Sequence, residues 1–220
     1  MKMIEISSRI REIAPNFRGL AIRCQVENSD PDMGLWEELE REMEWFALNF
    51  RVEDINKRLP IAANRQAYKA LGKDPNRYRP SAESLCRRIV KEKSLYRINT
   101  LVDLINLVSI HTGYSIGGFD EDQIRGNRLE LGVGEAGEPF CGIGRGMLNI
   151  EGLPVYRDEA GGIGTPTSDE ERTKISLATV RVLILINGYS GEDGLQEAGN
   201  YMIDLLKRYG KASDIEIETY

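Results

Sequence analysis

Residues 98–124 read INTLVDLINLVSIHTGYSIGGFDEDQI, and this stretch holds the strongest fold signal in the 220-residue chain. Its pattern predicts a helix over residues 101–112 that is apolar on nearly all sides and ends at Gly113. A helix without a polar face is buried. We therefore expect Asp103 and Asn106 to find polar partners inside the protein.

Glycines follow this helix at high density, since residues 113–164 hold fourteen of the 22 glycines in the chain. Between them lie short segments with strand-like patterns: RLELGV, EPFCGI, MLNI and LPVYRD. Short strands separated by glycine-rich turns predict a series of hairpins in this region.

The chain before residue 98 is mainly helical in pattern, after one early strand at residues 17–26. Apolar residues at helical spacing predict an amphipathic helix over residues 35–50 with an acidic outer face. Further helix is expected over residues 51–71. Ser81 is the expected N-cap of a helix that reaches about Lys93.

The chain after the glycine-rich region predicts a buried strand at residues 181–187, a helix over residues 195–209 and a terminal strand at residues 215–220. The predicted elements are helices first, then hairpins, and finally a strand, a helix and a strand. This order favours an α+β fold over a regular βαβ fold. No repeat or low-complexity linker divides the sequence, so we expect a single domain over residues 1–220.

The composition is that of a folded globular protein, with 41% hydrophobic and 29% charged residues and a mean hydropathy of −0.38. It excludes a disordered chain and a collagen-like fibre. The longest apolar run, residues 182–186, is far shorter than the ~18 residues of a bilayer span. Three cysteines without short spacing indicate reduced thiols. We therefore expect a cytoplasmic protein with no membrane partner.

Charge is distributed unevenly along the chain, whose net charge is −6. Residues 57–97 contain twelve basic and three acidic side chains, which gives this segment a charge of +9. Residues 30–44 contain seven carboxylates and one arginine. This asymmetry indicates either a polyanionic partner for one face or two solvated helix faces that neutralise each other within the fold.

The motifs that suggest chemistry also fit structural roles. GIGRGM (142–147) lacks the Lys-Ser/Thr of a P-loop, so a hairpin with flexible corners is favoured. With His111 as the single histidine and no clustered cysteines, neither a metal nor another cofactor is expected. GTPTSDEERT (164–173) fits a loop with a Ser168–Glu171 capping box. This structural role is favoured, and the alternative is a loop of hydroxyls and backbone N–H groups that holds a small polar ligand.

Several motifs together resemble a known family. The stretch 98–124, with SLCRRI before it and GEPFCGIGRG after it, is similar to the B3/4 domain, the editing domain of the bacterial phenylalanyl-tRNA synthetase beta subunit. Val102, Asp103 and Asn106, with a Phe-Asp pair thirteen residues past the asparagine, form the most specific part of the likeness. The resemblance is clearest over residues 78–187.

This resemblance implies a fold and a reaction. The fold is a three-layer sandwich of two sheet layers, mixed or antiparallel and rich in hairpins, and one helical layer. The reaction is hydrolysis of tyrosine wrongly esterified to phenylalanine tRNA, because an apolar pocket rejects an isostere with one extra hydroxyl only about a hundredfold. A positioned water beside polarising donors suffices to hydrolyse an activated ester. Since the chain is far too short for a whole beta subunit, we expect a free-standing domain that acts in trans and does not aminoacylate tRNA.

The resemblance also assigns candidate site residues. The catalytic candidates are Thr165, Thr167 and Asn187. The candidates that bind the amino acid moiety are Asn106, Gly117, Gly118, Phe119 and Gly164. The basic segment adds candidates for contact with the aminoacylated end of tRNA, namely Arg77, Arg79, Arg87, Arg88 and Lys91.

The chain departs from the family pattern at two of these positions. The family usually has a histidine two residues before the Phe-Asp pair, and this chain has Gly117 there. The acidic residue that recognises the tyrosine hydroxyl in the family corresponds to neutral Asn187. An asparagine at this position still offers hydrogen bonds to a polar side chain of another amino acid.

Three functions are compatible with the sequence. The first is an enzyme that hydrolyses mischarged aminoacyl-tRNA. The second is a non-catalytic module that binds an amino acid or RNA. The third is a protein-interaction domain that uses the acidic helix predicted over residues 35–50.

Overall fold

The computed structural model describes residues 3–91 and 94–220. The helices are α1 (Ser8–Ile13), α2 (Met33–Asn49), α3 (Val52–Ile55), α4 (Leu59–Ala70), α5 (Ser81–Val90), α6 (Thr100–Thr112) and α7 (Leu195–Tyr209). The strands are β1 (Met3–Ile6), β2 (Arg18–Gln25), β3 (Ile116–Asp120), β4 (Arg128–Val133), β5 (Cys141–Gly142), β6 (Gly146–Met147), β7 (Pro154–Asp158), β8 (Gly161–Thr165), β9 (Ser168–Asp169), β10 (Arg181–Gly188) and β11 (Ser213–Thr219).

The strands form two main sheets and a small hairpin. One sheet has the order β11-β2-β10-β3, and all of its pairs are antiparallel. The other has the order β1-β4-β7-β8-β9, in which only the β1–β4 pair is parallel. Strands β5 and β6 pair with each other as a small hairpin, and a single bridge between Gly142 and Glu170 connects this hairpin to the chain after β9.

Strand β10 shows why the fold has three layers. Its side chains alternate between two hydrophobic cores, because successive residues of a strand point to opposite faces. Val182, Ile184 and Ile186 pack with the helices, in the same core as residues of α2, α5, α6 and α7. Leu183 and Leu185 pack toward the second sheet. The central sheet is thus buried on both faces, and the predicted α+β sandwich of two sheet layers and a helical layer is confirmed.

Helix α6 is buried on nearly all sides, as its sequence predicts. Asn99 caps its start by accepting the Val102 N–H at 3.0 Å, and Gly113 ends it with φ +85°. Asp103 does find buried partners, because its carboxylate accepts the indole N–H of Trp36 at 2.7 Å. Asn106 differs from that expectation: its side chain makes no hydrogen bond within residues 3–91 and 94–220, and it lines a pocket instead.

Two local expectations are wrong, and a third falls partly outside the described residues. Ser81 is the first residue of α5 and follows Pro80, which takes the cap position without a side-chain hydrogen bond. The helix ends at Val90, and the predicted end at Lys93 lies outside the described residues. The Ser168–Glu171 capping box does not form, since Ser168 belongs to β9 and pairs with Thr165.

Two further observations concern cysteines and membranes. Cys24 and Cys86 are buried, Cys141 is half-buried, and all three are free thiols. In the part of the chain that the structure describes, no helix combines the length and the apolar character that crossing a bilayer requires.

Candidate functional site

A pocket of about 380 Å³ opens where α5 and α6 meet strand β3, the β5–β6 hairpin and strand β9. We call it the Asn106–Asp169 pocket. Its walls are mostly aliphatic, with a few polar groups at defined points, which is the usual make-up of a small-molecule site. The lining residues include Leu85, Val102, Ile105, Asn106, Ile116, Gly118, Ile143, Ser168, Asp169, Lys174 and Ile175.

Asp169 is the unusual group of this pocket. The residue is half-buried, and the protein around its carboxyl group raises the pKa of that group from 3.8 to about 7. The cause is desolvation, which disfavours the charged form. A hydrogen bond from the backbone N–H of Gly118 offsets part of the pKa increase. A carboxyl group with a pKa near neutrality exchanges protons readily at physiological pH.

Three predicted residues surround this carboxyl group. Gly164 is the direct partner of Asp169 in the β8–β9 register, and a Cβ at Gly164 would lie 2.8 Å from Oδ1 of Asp169. A Cβ at Gly117 would lie 3.6 Å from the same oxygen. Both would also come within 3 Å of the Phe119 ring. Phe119 itself is buried beneath these glycines, so it supports the pocket and does not line it.

A second pocket of about 280 Å³ shares Ser168 with the first. We call it the Thr165–Thr167 pocket. The β5–β6 hairpin borders both pockets, since Ile143 lines the first and Met147 lines the second. The lining residues of the second pocket are Arg77, Tyr78, Arg145, Met147, Leu148, Asn149, Ile150, Leu153, Thr165, Thr167 and Ser168.

The hydroxyl groups of the two catalytic candidates in this pocket have structural partners. Thr165 Oγ1 accepts from the N–H groups of Thr167 (3.2 Å) and Ser168 (3.0 Å), so it holds the turn between β8 and β9. Thr167 Oγ1 lies 2.8 Å from the buried hydroxyl of Tyr68 and 3.4 Å from the carbonyl oxygen of Tyr78. These contacts fix the loop to α4 and to the chain before α5.

The third catalytic candidate, Asn187, lies apart from both pockets. It is buried at the end of β10, where its Nδ2 donates to the carbonyl oxygen of Ser115 at 2.8 Å. Its Oδ1 accepts from the hydroxyl of Tyr156 at 2.9 Å, and that hydroxyl also contacts the hydroxyl of Tyr220 at 2.7 Å. Both the nitrogen and the oxygen of the Asn187 amide are therefore hydrogen-bonded within the core.

Three of the basic residues in the +9 segment converge on one buried carboxylate. Glu83 is fully buried, and its carboxylate lies 2.8 Å from the guanidinium of Arg65 and 2.7 Å from that of Arg87. Arg79 lies 3.6 Å from the same carboxylate. Since a buried charge requires such partners, Arg79 and Arg87 have a clear structural role.

The other candidate cations have fewer ties to the protein. Arg88 donates to the carbonyl oxygen of Ser94 at 2.7 Å and covers the ring of Tyr96, and Lys91 is exposed. Arg77 is exposed and lies over the ring of Tyr78. Of the five candidates for RNA contact, only Arg77 lines one of the two pockets.

Other features of the molecule do not form a comparable site. His111 pairs with Glu42 at 3.1 Å, and this carboxylate raises the pKa of the imidazole. Residues 3–91 and 94–220 contain no group of three or more His, Cys, Asp or Glu side chains that could hold a metal ion. A larger depression of about 610 Å³ is open and polar, but its Arg23 and Glu121 pair with each other at 3.3 Å.

Sequence reasoning missed Asp169 as a site residue. The signal lies in GTPTSDEERT, the polar stretch that contains Asp169 and fits a loop for a small polar ligand. The sequence does not show that the turn at residues 165–168 pairs Asp169 with Gly164 and directs its carboxyl toward the glycines of β3.

Comparison with known proteins places the chain in a family. Residues 63–214 match the model of the B3/4 domain. Among solved structures, sixteen chains match, and one is an N-terminal fragment of the phenylalanyl-tRNA synthetase beta-subunit from Pyrococcus horikoshii, with 16% sequence identity and a TM-score of 0.50. That alignment covers 98% of this chain and 50% of the fragment, so the chain spans half of the fragment's length. No curated protein matches. Because the family model covers more than half of the sequence, the chain belongs to the B3/4 domain family.

Proposed function

We propose that this protein hydrolyses the ester bond of mischarged aminoacyl-tRNA in the Asn106–Asp169 pocket, with Asp169 as the general base. The observation that carries the proposal is the Asp169 carboxyl group, whose pKa is raised to about 7 at the wall of a largely aliphatic pocket. A general base is most effective when its pKa lies near the working pH.

The pocket offers a place for the amino acid moiety. Its aliphatic walls favour the burial of an apolar side chain. Asn106 lies on the same wall, and its amide has no hydrogen-bond partner among residues 3–91 and 94–220, so it can provide hydrogen bonds that orient the aminoacyl group. Ser168 adds a hydroxyl at the border with the second pocket.

The reaction proceeds through attack of water on the ester carbonyl carbon. Asp169 in its carboxylate form takes one proton from this water as the new C–O bond forms. The amide of Asn106 and the hydroxyl of Ser168 donate to the oxyanion that develops on the carbonyl oxygen. The C–O bond to the ribose then breaks, and the proton on Asp169 passes to the leaving ribose oxygen, which releases the free amino acid and restores the carboxylate.

This assignment fits the absence of a histidine at position 117. A side chain at Gly117 would begin within 3 Å of the Phe119 ring, so the position has no room for an imidazole in this arrangement. The carboxyl group of Asp169 lies next to that space. We assign Asp169 as the ionisable group that takes part in the reaction in this pocket. We assign Thr165 and Thr167 the role of holding the loop that carries Asp169.

The proposal is tested by the release of labelled amino acid from a panel of mischarged tRNAs, beginning with tyrosyl-tRNA specific for phenylalanine. We expect release above the level of heat-inactivated protein from at least one mischarged species. Asp169→Asn should reduce the rate about a hundredfold or more, in line with loss of a general base. Asp30→Asn removes an exposed carboxylate elsewhere and is the matched control. Full activity of Asp169→Asn would refute the role of this residue.

A second candidate function is a non-catalytic module that binds a free amino acid. Asp169 and Lys174 line the same pocket, and their opposite charges complement the ammonium and carboxylate groups of a zwitterion. Lys174 also pairs with Glu171, which holds it near the pocket mouth. Saturable binding of a free amino acid, without release from any mischarged tRNA, would favour this function over hydrolysis.

A further inference from the structure

Three large apolar side chains are open to solvent where α2 ends and α4 begins. Trp45 is 52% exposed, Leu48 is 79% exposed and Leu59 is 60% exposed. The rings of Trp45 and Phe50 lie 5.9 Å apart. The guanidinium of Arg58, the residue before Leu59, lies 5.6 Å from the centre of the same Phe50 ring. We call Trp45, Leu48, Phe50 and Leu59 the Trp45 patch. Uncovered apolar side chains grouped in this way mark a surface that binds another molecule.

The solvent face of α2 combines part of this patch with charged groups. Residues at the spacing i, i+3, i+4 and i+7 share one face of a helix. On α2 this spacing joins four exposed side chains, namely Arg41, Glu44, Trp45 and Leu48. One cation and one carboxylate thus flank two apolar side chains on a single helix face.

Most carboxylates of α2 already have partners within the fold. Glu38, Glu40 and Glu42 form ion pairs with side chains of other parts of the chain. Among residues 3–91 and 94–220, Glu37 and Glu44 are the only α2 carboxylates without such a pair. The helix is therefore much less acidic as a surface than its sequence suggests, which weakens the case for a basic partner.

The charges around the Trp45 patch are balanced. Apart from Glu42, which pairs with His111, residues 41–57 carry three carboxylates and three cations. They are Glu44, Glu53, Asp54, Arg41, Arg51 and Lys57. A neutral surface attracts neither a polyanion nor a strongly basic protein. Opposite charges at separate positions instead match the same surface on a second copy that is related by a two-fold axis.

We propose that the Trp45 patch is an isologous interface at which two copies of this chain form a symmetric dimer. An antiparallel contact between two α2 helices, centred near residue 47, places Trp45 against Leu48 of the second copy. The same contact brings Glu44 beside Arg51 of the second copy, and the two-fold axis makes each contact twice. A tryptophan buried at the centre of an interface typically contributes a large share of the binding energy.

Sedimentation equilibrium of the full chain measures this association. We expect the mass to rise from 24.8 kDa to twice this value as the protein concentration increases through the micromolar range. Acrylamide quenching of tryptophan fluorescence should decrease over the same range, because the dimer covers Trp45. The other tryptophan, Trp36, is 4% exposed and contributes little to the quenching. A mass of 24.8 kDa at all concentrations up to about 300 µM would overturn the dimer.

Charge reversal identifies which surfaces meet. Glu44→Arg places two arginines at each contact with position 51, and Arg51→Glu places two carboxylates there. Each variant alone should therefore associate about tenfold more weakly or worse. A mixture of the two should form a heterodimer about as tightly as the unaltered chain associates, since both contacts regain opposite charges.

Native mass spectrometry separates this heterodimer from the two homodimers. No association in the mixture, when the melting curves of both variants match that of the unaltered chain, would refute the interface. Undiminished association of either variant alone would refute it as well.

An apolar position tests the centre of the interface. Leu48→Glu should weaken association about tenfold or more, because it places a charge among apolar side chains. Leu177→Glu is the matched control, since Leu177 is 55% exposed and lies outside the patch. An equal loss of association in both variants would show unspecific apolar contact and overturn the proposal.

The dimer and the proposed hydrolysis are tested separately. No residue of the Trp45 patch lines the Asn106–Asp169 pocket, so Leu48→Glu should keep any release of amino acid by the unaltered chain. Association without release from any mischarged tRNA would support the interface and remove only the hydrolytic function. Release by a chain that stays at 24.8 kDa would remove only the interface.

Discussion

Gly164 and Asp169 face each other across the β8–β9 turn, and the position of a Cβ on Gly164 would lie 2.8 Å from the Oδ1 atom of Asp169. The same Cβ would lie 2.6 Å from the ring of Phe119. Glycine at this position therefore lets a carboxyl group and an aromatic ring approach the strand together. The placement of Asp169 in the pocket depends on the absence of a side chain at position 164.

Gly164→Ala should disturb both the stability and the site. The added methyl group must displace Phe119 or Asp169, and such overpacking costs about 1–3 kcal/mol. We expect a lower melting temperature in circular dichroism and a loss of amino acid release larger than the loss of folded protein. Gly34→Ala, in helix α2, is the control, because its neighbours leave more room and alanine favours a helix. Unchanged activity of Gly164→Ala would contradict the conclusion that the placement of Asp169 requires a glycine at position 164.

The raised pKa of Asp169 predicts how activity depends on pH. Only the carboxylate form accepts a proton from water, so the rate of amino acid release should rise from about pH 5.5, reach half of its maximum near pH 7 and level off near about pH 8. The measurement is the initial rate at saturating and at low substrate across this range. A rate that is flat between roughly pH 5.5 and 8 would exclude Asp169 as the base.

The same pKa shift predicts a pH-dependent effect on stability. In the unfolded chain the carboxyl group has its ordinary pKa of 3.8, and in the folded chain its pKa is about 7. The folded state therefore binds the proton more tightly than the unfolded state does. This tighter binding stabilises the fold in full below pH 3.8, and the stabilisation is lost as the pH rises toward 7. Replacement by asparagine removes this dependence, so the stability of Asp169→Asn relative to the unaltered chain should increase between pH 4 and 7.5. Urea unfolding of both proteins at each pH measures it, and a constant difference would contradict the assignment.

Asn187 should contribute to stability and not to catalysis. Asn187→Ala removes two buried hydrogen bonds, one to the carbonyl oxygen of Ser115 and one from the hydroxyl of Tyr156. Ser115 keeps the backbone N–H of residue 187 as a partner, and Tyr156 keeps the hydroxyl of Tyr220. Such a loss costs about 1–3 kcal/mol. We expect a lower melting temperature and normal release of amino acid per folded molecule. Asn200→Ala, on the exposed face of α7, should change neither. Loss of activity at unchanged stability would restore Asn187 as a catalytic candidate.

The fold was predictable because its strongest signals are local. The apolar run at residues 182–186 and the apolar helix that ends at Gly113 have few alternatives to burial. Strand β1 and helix α1 escaped prediction, since each is short and only Ile4 and Ile10 among their described residues are buried.

The site was predictable in part. Asn106 and Gly118 line the first pocket, and Arg77 lines the second with Thr165 and Thr167. Asp169 was not predicted as a site residue, because its role depends on strand pairing and on side-chain direction. The sequence also treats all arginines of the +9 segment alike. Only the fold shows that the buried Glu83 binds several of them and leaves others exposed.

Thr167 and Tyr68 provide a test of how the site loop is held. Thr167→Val leaves the buried hydroxyl of Tyr68 without its partner, which should destabilise the protein by about 1–3 kcal/mol. Tyr68→Phe removes the tyrosine hydroxyl, which is the other group in this hydrogen bond. If the hydrogen bond is the main contribution, the double variant should be destabilised by less than the sum of the two single variants. Additive effects in urea unfolding would show that the two hydroxyls act independently, and lost activity without lost stability would make Thr167 catalytic.

Arg87 and Arg88 are neighbours with different roles, and charge reversal should separate them. The guanidinium of Arg87 lies 2.7 Å from the fully buried carboxylate of Glu83, so Arg87→Glu places two carboxylates together and should cost about 3–5 kcal/mol. Arg88 contacts the carbonyl oxygen of Ser94 and the ring of Tyr96, and Arg88→Glu should cost about 1 kcal/mol or less. Arg87→Glu would therefore reduce RNA binding through unfolding, whereas Arg88→Glu reports on contact with RNA. Thermal melts beside RNA titrations distinguish the two effects, and equal melting temperatures for the two variants would contradict the role of Arg87 as a partner of Glu83.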